Sequence, residues 1–281
     1  MKVLITGSNG MVARSTAAYC RSAGDEVIAL SRADLDIADI ASVRDGLTSI
    51  RPDTVINCAA YTDVDGAEAN ASTSYSANAD GPENLAIVCR EIDAGLVTIS
   101  TDYVFDGSFA GYYDQRHTPE PNGVYARSKL EGELRVRAAN ARAIIVRSGW
   151  IFGHGGTNFL SVMPALLREG RAITAIDDAW GTPTFADDLA RRLRELAELD
   201  LPCTFHVTNS GGGTSYHGFA LEVCSAGGFD PSLVTPVAGS SLSRPAPRPR
   251  NSKLACLFSE RFGLEPLPDW TDAVKRFCGS Y

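Results

Sequence analysis

The stretch Lys2–Arg14, KVLITGSNGMVAR, decides the fold. A short apolar run ends in a turn in which Gly7 and Gly10 are three residues apart, and a helical pattern follows. Glycines at a strand end let the backbone approach a diphosphate, and the helix N-terminus behind them offers free N–H groups. Ala13 takes the place of the third small residue, giving G-x-x-G-x-x-A. Because the pattern lies between a strand and a helix, it predicts dinucleotide binding rather than a plain strand–turn–helix.

Short apolar runs and helical patterns alternate through the rest of the first half. Strands are predicted at 2–6, 26–30, 54–57, 96–100, 142–147 and 204–207. Helices are predicted at 11–23, 40–50, 71–93, 124–139, 158–169, 185–199, 214–227 and 269–277. Strands separated by helices of this length predict a parallel sheet with right-handed crossovers. Strands that are almost wholly apolar are typical of a sheet covered on both faces.

Beyond residue 148 this rhythm loosens and the loops lengthen. We therefore predict an α/β fold, a Rossmann-type doubly wound parallel sheet with a smaller C-terminal substrate-binding lobe. The predicted NAD(P)-binding domain comprises residues 1–147 and roughly 178–210. The predicted lobe comprises residues 148–177 and 211–281.

The composition narrows the class of protein. The 281 residues are 44% hydrophobic and 21% charged with a net charge of -8, which disfavours a nucleic-acid surface. The seven cysteines form no C-x-x-C pair and the four histidines show no ligand spacing, so we expect free thiols and no metal. The opening MKVLITG is too short for a signal peptide or a membrane span. We expect a cytoplasmic enzyme, a monomer or homodimer, without nucleic-acid or membrane partners.

The end of the second strand bears on the choice of cofactor. An acidic residue there would bind the ribose 2′-OH of NAD, whereas this chain has Ser31 and Arg32. A hydroxyl and a guanidinium suit a 2′-phosphate better, so NADPH is the expected cofactor. If Arg32 is only a solvated loop residue, NADH stays open. Asp36, further along, either contacts the adenine edge or caps the next helix.

Three side chains predict acid–base chemistry at a carbonyl. Thr101 ends the fourth strand, and Tyr125 and Lys129 lie four residues apart on one face of the next helix. Hydride transfer to a ketone leaves an alkoxide that needs a proton, which a tyrosine can supply. A free phenol titrates at about 10, and a nearby ammonium lowers that pKa. We predict that Tyr125 and Lys129 are catalytic, that the hydroxyl of Ser100 or Thr101 orients the carbonyl, and that Lys129 also holds the nicotinamide ribose.

Longer motifs make the chain similar to the dTDP-4-dehydrorhamnose reductase family of extended short-chain dehydrogenases/reductases. They are GSNGMVA, RPDTVINCAAYTDVDGAE, STDYVFDG, YARSKLEGE, VRSGWIFG, GTPTFADDLA, RPRNSKL and LPDWTDAVKRF, and they span nearly the whole chain. The resemblance implies that Thr101, Tyr125 and Lys129 form the catalytic trio. It also implies NADPH-dependent reduction of the 4-keto group of a nucleotide-activated deoxysugar, with dTDP-4-dehydro-L-rhamnose as the first candidate.

Ligand contacts follow from the glycine turn, the second strand and this resemblance. The expected cofactor contacts are Gly7, Asn9, Gly10, Met11, Val12, Ser31, Arg32, Asp36, Ile37, Cys58, Ala59, Ala60, Tyr61, Tyr125 and Lys129. The expected substrate contacts are Thr101, Asp102, Tyr103, Val104, Trp150, Asn158, Arg248, Asn251 and Ser252. For Trp150 a plain core position is the open alternative.

The proline-rich segment 244–253, the arginine loop, is the basic cluster of an acidic chain. Prolines reduce the entropy lost on ordering, and arginines suit a diphosphate. Arg248 matches the family motif, and a solvated linker is the alternative. In contrast, Asp63, Asp65 and Glu68 are interpreted as a solvated helix start.

Two features bear on the reaction and the sugar. Tyr103 follows Asp102 where related 4,6-dehydratases carry a glutamate for elimination, so simple ketone reduction fits better. The family usually has glutamine and a smaller aromatic at Ala179 and Trp180, so another dTDP-deoxysugar, as in antibiotic glycosylation, is the alternative substrate. A non-catalytic nucleotide-binding subunit is the alternative outside enzymes, although the intact trio argues against it.

Overall fold

Six parallel strands form the central sheet of the protein, whose computed structural model describes residues 1–279. The strands of this sheet and of three further strand pairs are, in chain order, β1 (Lys2–Thr6), β2 (Glu26–Leu30), β3 (Thr54–Asn57), β4 (Gly95–Thr101), β5 (Ile144–Ser148), β6 (Ile151–Phe152), β7 (Ile173–Ile176), β8 (Trp180–Gly181), β9 (Thr184–Phe185), β10 (Thr204–His206), β11 (Thr214–Ser215) and β12 (Val234–Val237). The order in the central sheet is β10-β5-β4-β3-β1-β2, with every pairing parallel. The predicted fold class is confirmed.

Helices connect and cover these strands. They are α1 (Met11–Ser22), α2 (Ile40–Ile50), α3 (Gly66–Ala69), α4 (Ala71–Tyr75), α5 (Gly81–Glu91), α6 (Val124–Ala139), α7 (Phe159–Arg168), α8 (Ala186–Leu199), α9 (Tyr216–Gly227) and α10 (Trp270–Gly279). A π-helical segment, Ser76–Asp80, separates α4 from α5, so the stretch with the helical pattern over 71–93 is helical from 71 to 91 but not α-helical throughout. Pro82 has no N–H to donate to the carbonyl of Asn78, which interrupts the α-helical ladder at this point.

Alternate residues of the strands explain why their sequences are apolar throughout. Val3 and Ile5 of β1 pack on one face of the sheet, in a cluster with α1 and α8. Leu4, between them, packs on the other face in a cluster with α2 and α5. Both faces are therefore covered, and every residue of such a strand gains by being apolar.

A third apolar cluster lies away from the central sheet. It joins α7, α9 and α10 through buried aromatic residues that include Phe152, Phe219 and Phe277. Short pairs, β12 with β7, β6 with β9 and β11 with β8, accompany it. Leu264 and Leu267 instead join the cluster beneath α1 and α8. The residue limits given above for the two domains stay a prediction.

The sheet determines where ligands can bind. Parallel strands end at the same edge, so the loops after β1, β2, β3 and β4 meet there. Within residues 1–279, no helix is both long and apolar enough to cross a membrane.

Candidate active site

A cleft of about 500 Å³ opens at the carboxyl ends of β1, β2 and β3. Most of the predicted cofactor contacts line it, namely Gly7, Asn9, Gly10, Ser31, Arg32, Asp36, Ile37, Cys58, Ala59, Ala60 and Tyr61. Met11, Val12, Tyr125 and Lys129 lie outside this lining. The structure thus brings the three loop segments together as the sequence predicts.

The glycine turn leaves its backbone open to a ligand. Gly7 has φ +71°, and a Cβ there would come within 2.8 Å of the Ala59 Cα. The Gly10 N–H donates to the Gly7 carbonyl at 2.8 Å, which closes the turn before α1. Beneath it, Asn57 accepts from the Thr6 hydroxyl at 2.6 Å and from the Ala59 N–H at 3.2 Å. This buried anchoring and the absence of a Cβ fit a diphosphate on the helix N-terminus.

The residues after β2 hold one another at the rim of the cleft. The Ser31 hydroxyl donates to Asp34 at 2.7 Å, a partner that the sequence analysis missed. Arg32 donates to Asp36 at 3.3 Å, yet 78% of its side chain is exposed, so it can turn toward a phosphate. The capping alternative for Asp36 is wrong, because Asp39 caps α2 by accepting from Ala41.

Thr101, Tyr125 and Lys129 come together where β4 meets α6. The Thr101 hydroxyl lies near the Tyr125 phenol and acts to lower its pKa. The ring of Tyr103 stands edge-on to Tyr125 with centroids 6.1 Å apart. The Lys129 Nζ donates to the Ile99 carbonyl at 2.7 Å. A hydroxyl, a phenol and an ammonium thus share one end of the sheet.

The ionisation of this trio differs from the expectation. Burial raises the pKa of Tyr125 to about 12, and the opposing effect of the nearby Thr101 hydroxyl, which lowers the pKa, is smaller. Burial also lowers the pKa of Lys129 to about 8, against the charge of Glu133. The predicted lowering of the tyrosine pKa by Lys129 is therefore wrong here, because desolvation dominates. The phenol stays protonated at neutral pH, in the form that donates a proton.

Glu133 is a buried partner of Lys129 that the sequence analysis missed. It accepts from Arg147 at 2.6 Å and from the Ser100 hydroxyl at 2.5 Å. The spacing K-x-x-x-E in YARSKLEGE, one helical turn, was the signal that could have indicated it. Paired on both sides, this carboxylate holds a negative charge beneath the ammonium.

Asn78, in the π-helical segment, is a second missed residue. Its side chain accepts from the Tyr61 N–H at 2.9 Å and donates to the Ser128 hydroxyl at 3.0 Å. Ser128 precedes Lys129, so this amide joins the cofactor cleft to α6. The sequence held no local signal for it.

A polar and aromatic group faces the trio from later in the chain. The Trp150 indole N–H donates to the Ser252 hydroxyl at 3.2 Å, and its ring stacks on Tyr216 with centroids 3.9 Å apart. The carboxyl of Asp102 accepts from Thr101 at 3.1 Å, and burial raises its pKa to about 6. Trp150 packs against the cluster of α7, α9 and α10 and also donates this polar bond, and Tyr216 is a neighbour that the sequence analysis missed.

Three predicted substrate contacts hold other positions. Asn158 caps α7 by accepting from the Ser161 N–H at 3.0 Å. Val104 is fully buried in an apolar cluster with Phe105. The amide of Asn251 donates to the carbonyl of Gly111 at 2.7 Å. These side chains serve packing and backbone hydrogen bonds.

The interpretation of Asp63, Asp65 and Glu68 as a solvated helix start is wrong for Asp65 and Glu68, which have partners elsewhere in the chain. Asp65 pairs with Arg248 at 3.0 Å. Glu68 accepts from the Val124 N–H, at the start of α6, at 2.7 Å. Asp63 keeps a local partner, since its carboxylate accepts from the Gly66 N–H in its own turn at 2.9 Å. The arginine loop is likewise no free linker.

Taken with the fold, a nucleotide cleft beside a threonine, a tyrosine and a lysine defines a class, the Rossmann-type NAD(P)-dependent oxidoreductases. The comparisons with known proteins specify the family. The family model described as the RmlD substrate binding domain matches residues 1–281.

The similar proteins carry related names. The dTDP-4-dehydrorhamnose reductase of Streptomyces griseus is 39% identical over 98% of this chain and 94% of its own length. The dTDP-4-keto-6-deoxy-D-glucose reductase of Streptomyces niveus is 36% identical over 96% of this chain and 94% of its own. The structure of the Bacillus anthracis dTDP-4-dehydrorhamnose reductase in complex with NADP is 34% identical with a TM-score of 0.95, covering 100% of both chains. The chain belongs to the dTDP-4-dehydrorhamnose reductase family, which confirms the resemblance.

Proposed function

We propose that this protein reduces the 4-keto group of a nucleotide-activated deoxysugar with NADPH, and that dTDP-4-dehydro-L-rhamnose and dTDP-L-rhamnose are its substrate and product. The observation that carries the proposal is the meeting of the Tyr125 phenol, the Thr101 hydroxyl and the Lys129 ammonium where β4 meets α6, at the same sheet edge as the nucleotide cleft. When bound, the nicotinamide supplies a hydride to the carbonyl carbon. The protein must then place the sugar and give its oxygen a proton.

Each member of the trio has a separate role in this proposal. The Tyr125 phenol gives its proton to the carbonyl oxygen and becomes a phenolate. Thr101 donates a hydrogen bond to that oxygen and orients the carbonyl. Lys129, anchored on the Ile99 carbonyl, carries a positive charge and would hold the nicotinamide ribose hydroxyls. Because the pKa of Lys129 is about 8, the charge is present at neutral pH.

The cofactor assignment rests on the rim of the cleft. Ser31 and Arg32 would meet a 2′-phosphate, while the glycine turn and the loop after β3 would hold the diphosphate and ribose. The NADP complex of the Bacillus anthracis relative supports the same choice. NADH remains the alternative.

A second candidate substrate is a different dTDP-4-keto-deoxysugar. Trp180, with a side chain 46% exposed, stands where the family has a smaller aromatic, and Ala179 replaces the usual amide. The Trp180 N–H donates to the Arg250 carbonyl, and the Trp180 carbonyl accepts from the Ser252 N–H. Trp180 therefore borders the arginine loop directly. The name of the Streptomyces niveus relative shows that sugars vary among similar proteins.

The compartment and oligomeric state are part of the proposal. All seven cysteines, each among residues 1–279, are free thiols, which fits a reducing compartment. We propose a cytoplasmic enzyme that works as a monomer or homodimer on a nucleotide-sugar partner.

A substrate panel tests the proposed function. We expect NADPH oxidation with dTDP-4-dehydro-L-rhamnose or a related dTDP-4-keto-sugar, and a kcat/KM for NADPH above that for NADH. A higher value for NADH would overturn the cofactor preference. Inactivity across the panel, with nucleotide still bound, would instead favour the non-catalytic binding subunit.

A further inference from the structure

Two carboxylates three residues apart hold two different parts of the site. Asp65 occupies the N-cap position of the short helix α3 without a capping bond from its side chain, and Glu68 lies within the helix. We propose that Asp65 and Glu68 are positioning residues that couple the arginine loop to the catalytic helix α6. The inference rests on the proposed function for its effect on turnover, but not for its effect on nucleotide binding.

Asp65 fixes the arginine loop at two points. One carboxylate oxygen accepts from the Ala246 N–H at 3.1 Å, and the other accepts from the Arg248 guanidinium at 3.0 Å. Arg248 also donates to the Ala246 carbonyl at 3.0 Å, which curls its side chain onto its own loop. Only 22% of the Arg248 side chain is exposed. Its guanidinium is therefore held in one orientation, with donors left for a diphosphate.

Glu68 fixes the start of α6. The Val124 N–H, which belongs to the residue before Tyr125, donates to its carboxylate at 2.7 Å. The helix has no cap from its own N-cap residue, Gly123, so this bond from another element replaces one. A negative charge at a helix N-terminus is also favourable.

The arginine loop and α6 also touch directly at Gly123. Its φ is +85°, and a Cβ there would come within 2.9 Å of the Glu68 carboxylate and 3.2 Å of the Pro247 ring. Glu68, Pro247 and Gly123 therefore meet at one point. A single turn of chain between β3 and α4 thus holds both the group expected to bind diphosphate and the helix that carries the proton donor.

The test uses three variants of the full chain and one matched control variant. For Asp65→Asn, loss of the charge pair should weaken binding of thymidine diphosphate roughly fivefold and raise the substrate KM by a similar factor, with kcat retained. For Glu68→Ala, kcat should fall roughly tenfold while thymidine diphosphate binding is retained, because Tyr125 loses its alignment. Glu68→Gln keeps an acceptor for the Val124 N–H and should restore kcat. Asp63→Asn, which changes an exposed side chain bonded within its own turn, is the control and should match the parent.

A change in KM for Asp65→Asn and a change in kcat for Glu68→Ala distinguish a positioning role from a purely stabilising one. Thermal unfolding of each variant is measured alongside, because a purely structural role would lower stability without separating KM from kcat. Unchanged or tighter thymidine diphosphate binding in Asp65→Asn, or equal kcat in Glu68→Ala and the parent, would overturn the inference. The binding measurement requires no turnover, so its result stands even if the parent protein reduces none of the sugars tried.

Discussion

Asp102 is a buried carboxyl that contacts Thr101, a member of the catalytic trio. Its Oδ2 atom has no hydrogen-bond partner within residues 1–279, while Oδ1 accepts from Thr101. A carboxylate without full solvation costs free energy, so the protein favours the protonated form. Burial accordingly raises the pKa of Asp102 from 3.8 to about 6, although the nearby hydroxyls of Ser252 and Thr101 oppose the shift.

This shift predicts a dependence of stability on pH that Asp102→Asn should remove. Because the folded pKa is raised, the favourable contribution of Asp102 is complete below its unfolded pKa of 3.8 and is lost as pH rises through about 6. The loss is of the order of 3 kcal/mol. Denaturant unfolding should therefore show the variant gaining stability relative to the parent between about pH 4 and about pH 7. A difference in unfolding free energy that stays constant across this range would contradict the prediction.

The segments that carry the site fall into two groups by how well the sequence predicted them. The glycine turn, β4 and α6 were placed closely, because periodicity and glycines are local signals. The short strands β6, β8, β9 and β11 have two residues each and no period to detect. The same limit applies to the contact between Trp150 and Ser252, residues 102 positions apart, and to Tyr216 and Asn78, whose neighbours only the tertiary fold supplies.

The arginine loop allows a prediction at the scale of an element. Arg248→Ala should raise the substrate KM about tenfold or more and leave the cofactor KM nearly unchanged, because the loop lies beside Trp180 rather than in the cofactor cleft. Steady-state kinetics with each ligand varied in turn measure this. Arg250→Ala, two residues further on, changes an exposed side chain and is the control. An unchanged substrate KM in Arg248→Ala would remove the loop from the site.

The whole molecule joins a nucleotide cleft to groups that come from the last third of the chain. The Asn209 amide donates to Asp188 of α8 at 2.6 Å, and Arg276 of α10 pairs with the same carboxylate at 2.6 Å. These contacts fasten the C-terminal elements to a helix that packs on the sheet. The C-terminal elements also supply Tyr216 and Ser252, which both contact Trp150. Fold class and family were predictable because they depend on motifs, whereas the assembled sugar side depends on long-range packing.

Isotope transfer tests the central proposal, that this site passes a hydride from NADPH to a sugar C4 and a proton from Tyr125 to its oxygen. NADPH labelled with deuterium at C4 of the nicotinamide, one face at a time, is incubated with dTDP-4-dehydro-L-rhamnose, and the product is analysed by mass spectrometry. We predict deuterium at sugar C4 from one face only, and none with Tyr125→Phe, which should still bind NADPH. Reduced sugar that stays unlabelled with either face labelled, or equal labelling by the parent and Tyr125→Phe, would contradict the account.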